Sequence, residues 1–208
     1  MTRTRLFSGS RIALCLATLA AIAGCGTTSF PDNVLEGNWT GQLVLTGSLK
    51  VGDETQTLDP KSTKFDISFD AQGIPKGETI GQTNETQGGF DIHDLMTPGD
   101  SRNGNINSPD AVGTAKLTCI ESSFSAASMH YVFTLEIDVT VTKGGAQYPS
   151  TSKTTTTMNA SVAGQTCSYS TDTLTEGSAP VETPPDSGMF VVKSFTATTH
   201  GQGELSRG

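Results

Sequence analysis

A strict alternation of apolar and polar residues is the feature that most constrains the fold of this chain. Within residues 129–142, every second position from Phe133 to Val141 is apolar, and threonines or acidic residues stand between them. Successive side chains of a β-strand point to opposite faces of a sheet, so this pattern predicts a strand with one face in the core and one in water. Residues 64–70 repeat the pattern over a shorter stretch.

The same reading extends along most of the chain. Further strands are predicted at residues 37–45, 111–120, 151–162 and 188–199. Lys143, Gly144 and Gly145 supply the turn of a hairpin between two strands, and residues 72–77 end another strand. Although only 34% of the residues are hydrophobic, β-branched and polar-faced strands can still build a core from them.

Two segments rich in proline, glycine and polar residues interrupt the strands. Residues 94–111 and 171–187 are predicted to be long loops, which in compact domains are either functional or disordered. No segment after residue 24 has a helical period of 3.6. Together these features predict an all-β fold, an antiparallel barrel or sandwich, formed by a single domain at residues 37–208.

The first 25 residues differ in composition from the rest of the chain. Arg3, Arg5 and Arg11 precede an apolar run at residues 12–23, and the first acidic residue is Asp32. A helix needs about 20 apolar residues to cross the hydrocarbon core of a membrane, and this run has about a dozen. The segment therefore predicts a signal peptide and not a membrane span.

The end of the apolar run resembles the lipobox of bacterial lipoproteins. Residues 22–25 read Ile-Ala-Gly-Cys, an aliphatic residue and two small ones before a cysteine. The resemblance implies that residues 1–24 are cleaved, that Cys25 is acylated as the new N-terminus, and that residues 25–36 form a lipidated tether. The alternative is an ordinary secretory signal cut near Gly24, with Cys25 left as a free thiol.

The resemblance also implies a location. Gly26, and not aspartate, follows the cysteine, which in this family points to the outer membrane of the bacterial cell envelope. Without residues 1–24, the side chains carry 10 positive and 21 negative charges, a net charge of −11. An acidic surface is repelled by anionic lipid, so the acyl chains would hold the protein on the membrane. The same charge argues against nucleic acid as a partner.

Two cysteines are left after such processing. In an exported protein, Cys119 and Cys167 are predicted to form one disulfide that links two parts of the domain. Neither cysteine lies in a Cys-x-x-Cys motif or beside a histidine, so a redox or metal site is the weaker interpretation.

A second, shorter resemblance concerns the first predicted strand. The sequence Gly37-Asn38-Trp39 resembles the Gly-x-Trp opening of lipocalins and other calycin-type barrels. This resemblance implies a barrel whose closed end carries Trp39 as part of the lining of a ligand cavity. The alternative is a tryptophan that only packs in the core.

The sequence shows no pattern that assembles catalytic or metal-binding groups. His93, His130 and His200 are far apart, and only His93 has acidic neighbours, Asp91 and Asp94. Nucleophile elbows, phosphate-binding loops and dinucleotide fingerprints are not present in the sequence. We therefore expect no cofactor, no metal ion and no enzymatic activity.

The functional prediction is correspondingly general. The sequence favours a lipid-anchored envelope protein that acts by binding, either a small amphiphilic ligand in a barrel mouth or a protein partner at its loops. The alternative is a structural or surface-interaction module without a ligand pocket. The two differ in whether the interior holds an apolar cavity or is filled by side chains.

Overall fold

The computed structural model describes residues 34–76, 79–80, 86–87 and 90–208. The predicted signal peptide and the predicted lipidation site, Cys25, lie outside these residues. The described residues form eleven strands: β1 Gly37–Val51, β2 Glu54–Phe69, β3 Thr79–Ile80, β4 Thr86–Gln87, β5 Phe90–Asp91, β6 Ser101–Ser108, β7 Ala111–Phe124, β8 Ser128–Lys143, β9 Ala146–Ala163, β10 Thr166–Glu182 and β11 Phe190–Arg207.

In the described part of the chain, helical structure is limited to one short turn. Ile92–Asp94 forms a 3-10 helix. None of the helices among the described residues has the length and apolar character needed to cross a membrane.

Eight long strands and the two-residue β4 form one antiparallel sheet. Its order is β2-β1-β11-β10-β9-β8-β7-β6-β4, and β3 pairs with β5 in a separate two-stranded sheet. Strands β6 to β11 follow one another as a meander, and β11 then pairs with β1. The predicted all-β antiparallel class is confirmed.

The predicted barrel is wrong, because the sheet is open: β2 lies at one edge, and β6 with the short β4 lies at the other. The register of β2 against β1 shifts between Leu45 and Gly47, and Pro60 lies in β2 at this irregularity. Proline has no N–H to donate and a bulge bends the strand, so this edge is poorly suited to closing a barrel. The long strands also form one sheet and not the two stacked sheets of a sandwich.

One end of the sheet curls around the hydrophobic core. The rings of Phe65 on β2 and Tyr169 on β10 lie 4.7 Å apart, although β1 and β11 separate these strands in the sheet. We call this end, which carries Gly37 and Arg207, the core end. Its largest fully buried side chains are Trp39, Tyr131, Phe69, Leu35, Ile92, Leu95, Leu117, Met129 and Leu205.

Hydrogen bonds from buried aromatic side chains fix the segments that cover the core end. The Tyr131 hydroxyl donates to the carbonyl oxygen of Leu95 at 2.9 Å, and the Trp39 indole N–H donates to that of Leu35 at 2.7 Å. Buried polar groups are costly unless they are paired, so these two bonds determine where the connecting segments pack.

The other end of the sheet, which we call the distal end, carries the turns at residues 52–53, 109–110, 144–145 and 183–189. Strands β1, β9 and β11, which reach this end, have 15 to 18 residues and extend for about 50 to 60 Å. Threonines pair across the central strands here: the hydroxyls of Thr154 and Thr175 lie 3.0 Å apart. These threonines lie on the inner face, which also carries Ile137, Val139 and Phe195 towards the distal end. The outer face of the distal half is predominantly polar.

The predicted strands are confirmed, and most of them are longer than predicted. The alternating segment at 129–142 becomes β8 almost without change, whereas residues 64–70 are only the end of β2. The predicted hairpin between β8 and β9 is also confirmed. Gly144 and Gly145 have φ values of 57° and 79°, which is the left-handed geometry that a tight hairpin turn requires.

Both predicted long loops are wrong, because each contains a strand. Residues 94–111 include β6, and most of residues 171–187 belong to β10. Strand β6 has a single buried hydrophobic residue, Ile106, so alternation is almost invisible in its asparagines and serines. Pro180 is tolerated in β10 because the pairing of β10 with β9 ends at Ser178.

The hydrogen bond between Tyr131 and Leu95 predicts a measurable stability change. Replacing Tyr131 with Phe removes the donor and leaves a buried carbonyl oxygen unpaired, so the free energy of unfolding should fall by about 1–2 kcal/mol. The urea midpoint should decrease with little change in the denaturant slope. The control is Tyr148→Phe, which removes a hydroxyl near the distal end and should leave the midpoint nearly unchanged. An equal loss in both variants would contradict the assignment.

Candidate interaction surface

Four charged residues of alternating sign form a row across the face of the sheet that points away from the core. Lys116 on β7, Glu136 on β8, Lys153 on β9 and Glu176 on β10 are successive cross-strand neighbours. We call this row the charge ladder, and the face on which it lies the outer face. Opposite charges that face each other across strands stabilise a sheet modestly, by about 0.2–1 kcal/mol for each pair.

The charge ladder is accessible to a partner. Lys153 Nζ lies 3.0 Å from Glu136 Oε1, and their side chains are 57% and 48% exposed. The ladder lines an open depression of about 380 Å³, which Thr114, Asp138 and Thr151 also line. Exposed charges of both signs suit reversible, salt-sensitive contact with a polar partner, since ion pairs in water contribute little energy each.

A second group of polar residues lies on the same face, nearer to the core end. His200 Nδ1 lies 2.6 Å from Asp172 Oδ1, and the hydrogen bond to this carboxylate raises the pKa of His200. Gln202 Oε1 lies 3.3 Å from the other ring nitrogen. The pair is exposed, and solvent screens its effect on stability.

The three histidines do not form one site, although His130 on β8 lies on the same face as His200 on β11. His130 Nδ1 lies 2.7 Å from Asn159 Oδ1, and His93 Nε2 lies 3.4 Å from Asp70 Oδ2. Within the described residues, no group of three or more histidines, cysteines or acidic residues is placed to hold a metal ion.

Trp39, which was predicted to line a ligand cavity, lies within the packed core. Its side chain is 1% exposed, and the guanidinium of Arg207 lies 5.1 Å from the centre of its ring. The depression on the outer face is lined by other residues. A ligand-lining role for Trp39 stays a prediction, while its contacts are those of a core residue.

The predicted disulfide is wrong: Cys119 and Cys167 are both buried and are not bonded to each other. Strands β8 and β9 lie between them, which corresponds to about 14 Å across the sheet. The register also places Cys119 level with Thr173, six residues along β10 from Cys167. A disulfide requires Cα atoms within about 7 Å, so the pairing of the strands separates the two sulfurs.

The surroundings of both thiols keep them protonated. Burial raises the pKa of the Cys167 thiol to about 11, and burial also raises the pKa of the Cys119 thiol. The thiolate is the reactive form of cysteine, so neither residue has the character of a nucleophile or a redox centre at neutral pH. Both cysteines act as small core residues.

Comparison with other proteins adds no functional assignment. No family model matches the chain, and neither the curated proteins nor the solved structures contain a significant match.

The charge ladder was not predicted from the sequence. Its members lie within segments that were predicted as strands, or in residues 171–187, which were predicted as a loop. Alternating positions in β8 and β9 place Glu136 and Lys153 on the polar face, and this alternation is visible in the sequence. Their alignment into one row depends on the register between strands, which local patterns do not determine.

The state of the thiols gives a second prediction. In denaturant without a reductant, peptide mapping after alkylation should find both Cys119 and Cys167 labelled. Labelling of the native protein at pH 8 should be far slower than that of a free thiol, because only the thiolate reacts and both groups are buried. A peptide in which Cys119 and Cys167 are linked would contradict the structure.

Proposed function

We propose that the protein is a lipid-anchored envelope protein that acts by binding a macromolecular partner on the exposed, distal part of its sheet. The observation that carries this proposal is the division of the sheet into two parts. The core end is packed and apolar, whereas the outer face of the distal half is predominantly polar and bears the charge ladder. The outer face does not enclose the core, so its length and its charges support a role in contact with other molecules.

The position of the N-terminal segment supports this orientation. Val34 and Leu35 lie at the core end: the carbonyl oxygen of Val34 accepts a hydrogen bond from Arg207 Nη2 at 2.7 Å, and the indole of Trp39 donates to Leu35. The part of the predicted tether that precedes Val34, residues 25–33, would span at most about 30 Å when it is extended. If Cys25 carries acyl chains, the core end faces the membrane and the distal end points away from it.

The packing of the interior favours a partner on the surface over a small ligand inside. Phe65, Phe133 and Tyr169 are buried between the curled strands together with Trp39 and Tyr131. The open depression lies on the opposite, charged face. An amphiphilic ligand needs an apolar cavity, whereas a protein or other polar partner can bind to the outer face.

A second candidate function is a structural module with no binding partner. The cross-strand threonine pairs favour it, because Thr154 with Thr175 and Thr156 with Thr173 stabilise a long sheet without any ligand. The two candidates differ in the effect of surface substitutions. A structural module would tolerate charge changes on the outer face, and a binding protein would not.

The anchoring part of the proposal is tested at Cys25. Replacing Cys25 with Ser removes the acceptor for lipid, so the protein should move from the membrane fraction to the soluble fraction of the envelope. Cys119→Ser is a matched control, because it changes a buried cysteine and should leave the protein in the membrane fraction. Retention of the Cys25→Ser variant in membranes would contradict lipid anchoring.

The mode of binding is tested with the protein purified from its own membrane. Native mass spectrometry should find no small hydrophobic molecule bound beyond the acyl chains, since the core end is filled by side chains. The emission of Trp39, the sole tryptophan in the chain, should stay constant when a fluorescence-quenching fatty acid analogue is added. Added mass together with quenched emission would support an internal ligand instead.

A further inference from the structure

We infer that two copies of this chain associate face to face through the charge ladder, about a two-fold axis that runs parallel to the strands. This inference names the partner for the surface discussed under the proposed function. The pairing itself does not depend on the lipid anchor. It follows from the order of charges in the ladder and from the residues of the second copy that each possible two-fold axis places opposite these charges.

The order of the charges makes the ladder complementary to itself. From β7 to β10 the signs are plus, minus, plus and minus. An axis that runs along the strands between β8 and β9 places Lys116 opposite Glu176 of the second copy and Glu136 opposite Lys153. All four charges of each copy then face a charge of opposite sign. Complementary charge patterns determine register and partner choice more strongly than they determine affinity.

The rows beside the ladder are compatible with the same axis. On one side of the ladder, Asp138 and Thr151 are direct cross-strand neighbours, so this axis places the carboxylate of one copy opposite the hydroxyl of the other. Asn103, next to Lys116 on β6, would face Thr196 on β11. These are polar pairs that can form hydrogen bonds, and none of them brings two like charges together.

The other in-plane axis is excluded by the same charges. A two-fold axis that runs across the strands would place Lys116 opposite Lys116 of the second copy and Glu136 opposite Glu136. Like charges in direct contact oppose association. The ladder therefore selects the arrangement in which the strands of the two copies run in the same direction.

This choice has a consequence for the orientation of the pair. With the axis along the strands, both core ends, and therefore both N-terminal segments, lie on the same side of the dimer. Two copies anchored in one membrane can then associate side by side. An axis across the strands would place the two core ends at opposite sides, as required for copies in two facing membranes.

The area that the contact can bury limits its strength. On the core side of the ladder the same axis would bring Asp172 opposite Glu121, and this like-charge pair bounds the contact there. The remaining overlap spans at most six strands and about seven residues of each, or no more than roughly 550 Å² per copy, because the outer face of a curled sheet is convex. The total of at most about 1,100 Å² is at the lower end for specific interfaces, so the dimer should be weak and reversible.

Reversing charges on separate copies tests this inference. In the full chain, Lys116→Glu with Lys153→Glu makes the ladder entirely negative, and Glu136→Lys with Glu176→Lys makes it entirely positive. In mild detergent, light scattering should find the wild type in a concentration-dependent monomer–dimer equilibrium. Each variant alone should dimerise at least about tenfold more weakly, because four attractive contacts become repulsive. An equimolar mixture of the two variants should restore dimers.

Two controls separate this result from loss of folding and from the anchor. Lys64→Glu on β2 makes the same chemical change outside the ladder and should dimerise as the wild type does. Raising the salt concentration should weaken the wild-type dimer with no substitution at all. A wild type that is monomeric up to about 1 mM, or a mixture that does not associate, would overturn the inference. Failure of the Cys25→Ser test would leave this result unaffected.

Discussion

The pairing of β1 with β11 is the contact on which the rest of the structure depends. It joins the β1–β2 hairpin to the meander of β6 to β11, over a register from Trp39 opposite Arg207 to Val51 opposite Phe195. The two backbones approach closely, and a Cβ atom on Gly203 would clash with the carbonyl oxygen of Gln42. Glycine at this position permits the sheet to curl, so that Phe65 can reach Tyr169 and enclose the core.

A shortage of apolar residues explains why only one end of the sheet is packed. Hydrophobic residues make up 34% of the chain. The buried ones are concentrated at the core end. Beyond them, threonine takes the alternating positions in β9 and β10. A β-branched residue with a hydroxyl group retains strand propensity and is compatible with water. Threonine therefore lets these strands extend past the core, although Val191 and Val192 near the distal end of β11 stay exposed.

Local pattern predicted much of this fold, and the errors have a common physical cause. Strand β8 could be predicted because Phe133 to Val141 mark one face with apolar side chains, whereas β6 has only Ile106 to mark it. The register between distant strands is not encoded in local sequence patterns. It places Cys119 and Cys167 far apart, although the number of cysteines had predicted a disulfide between them. The same register assembled Lys116, Glu136, Lys153 and Glu176 into a row that no single strand reveals.

The pairing of β1 with β11 also affects when the protein can fold. β1 begins at Gly37 and its partner ends at Arg207, so the seam between them cannot form until nearly the whole chain is available. Contacts between residues so far apart in sequence carry a large loop-closure entropy and slow the folding reaction. Before that moment the β1–β2 hairpin has no sheet to join and cannot enclose Trp39. During synthesis the core is therefore completed only after β11 has emerged.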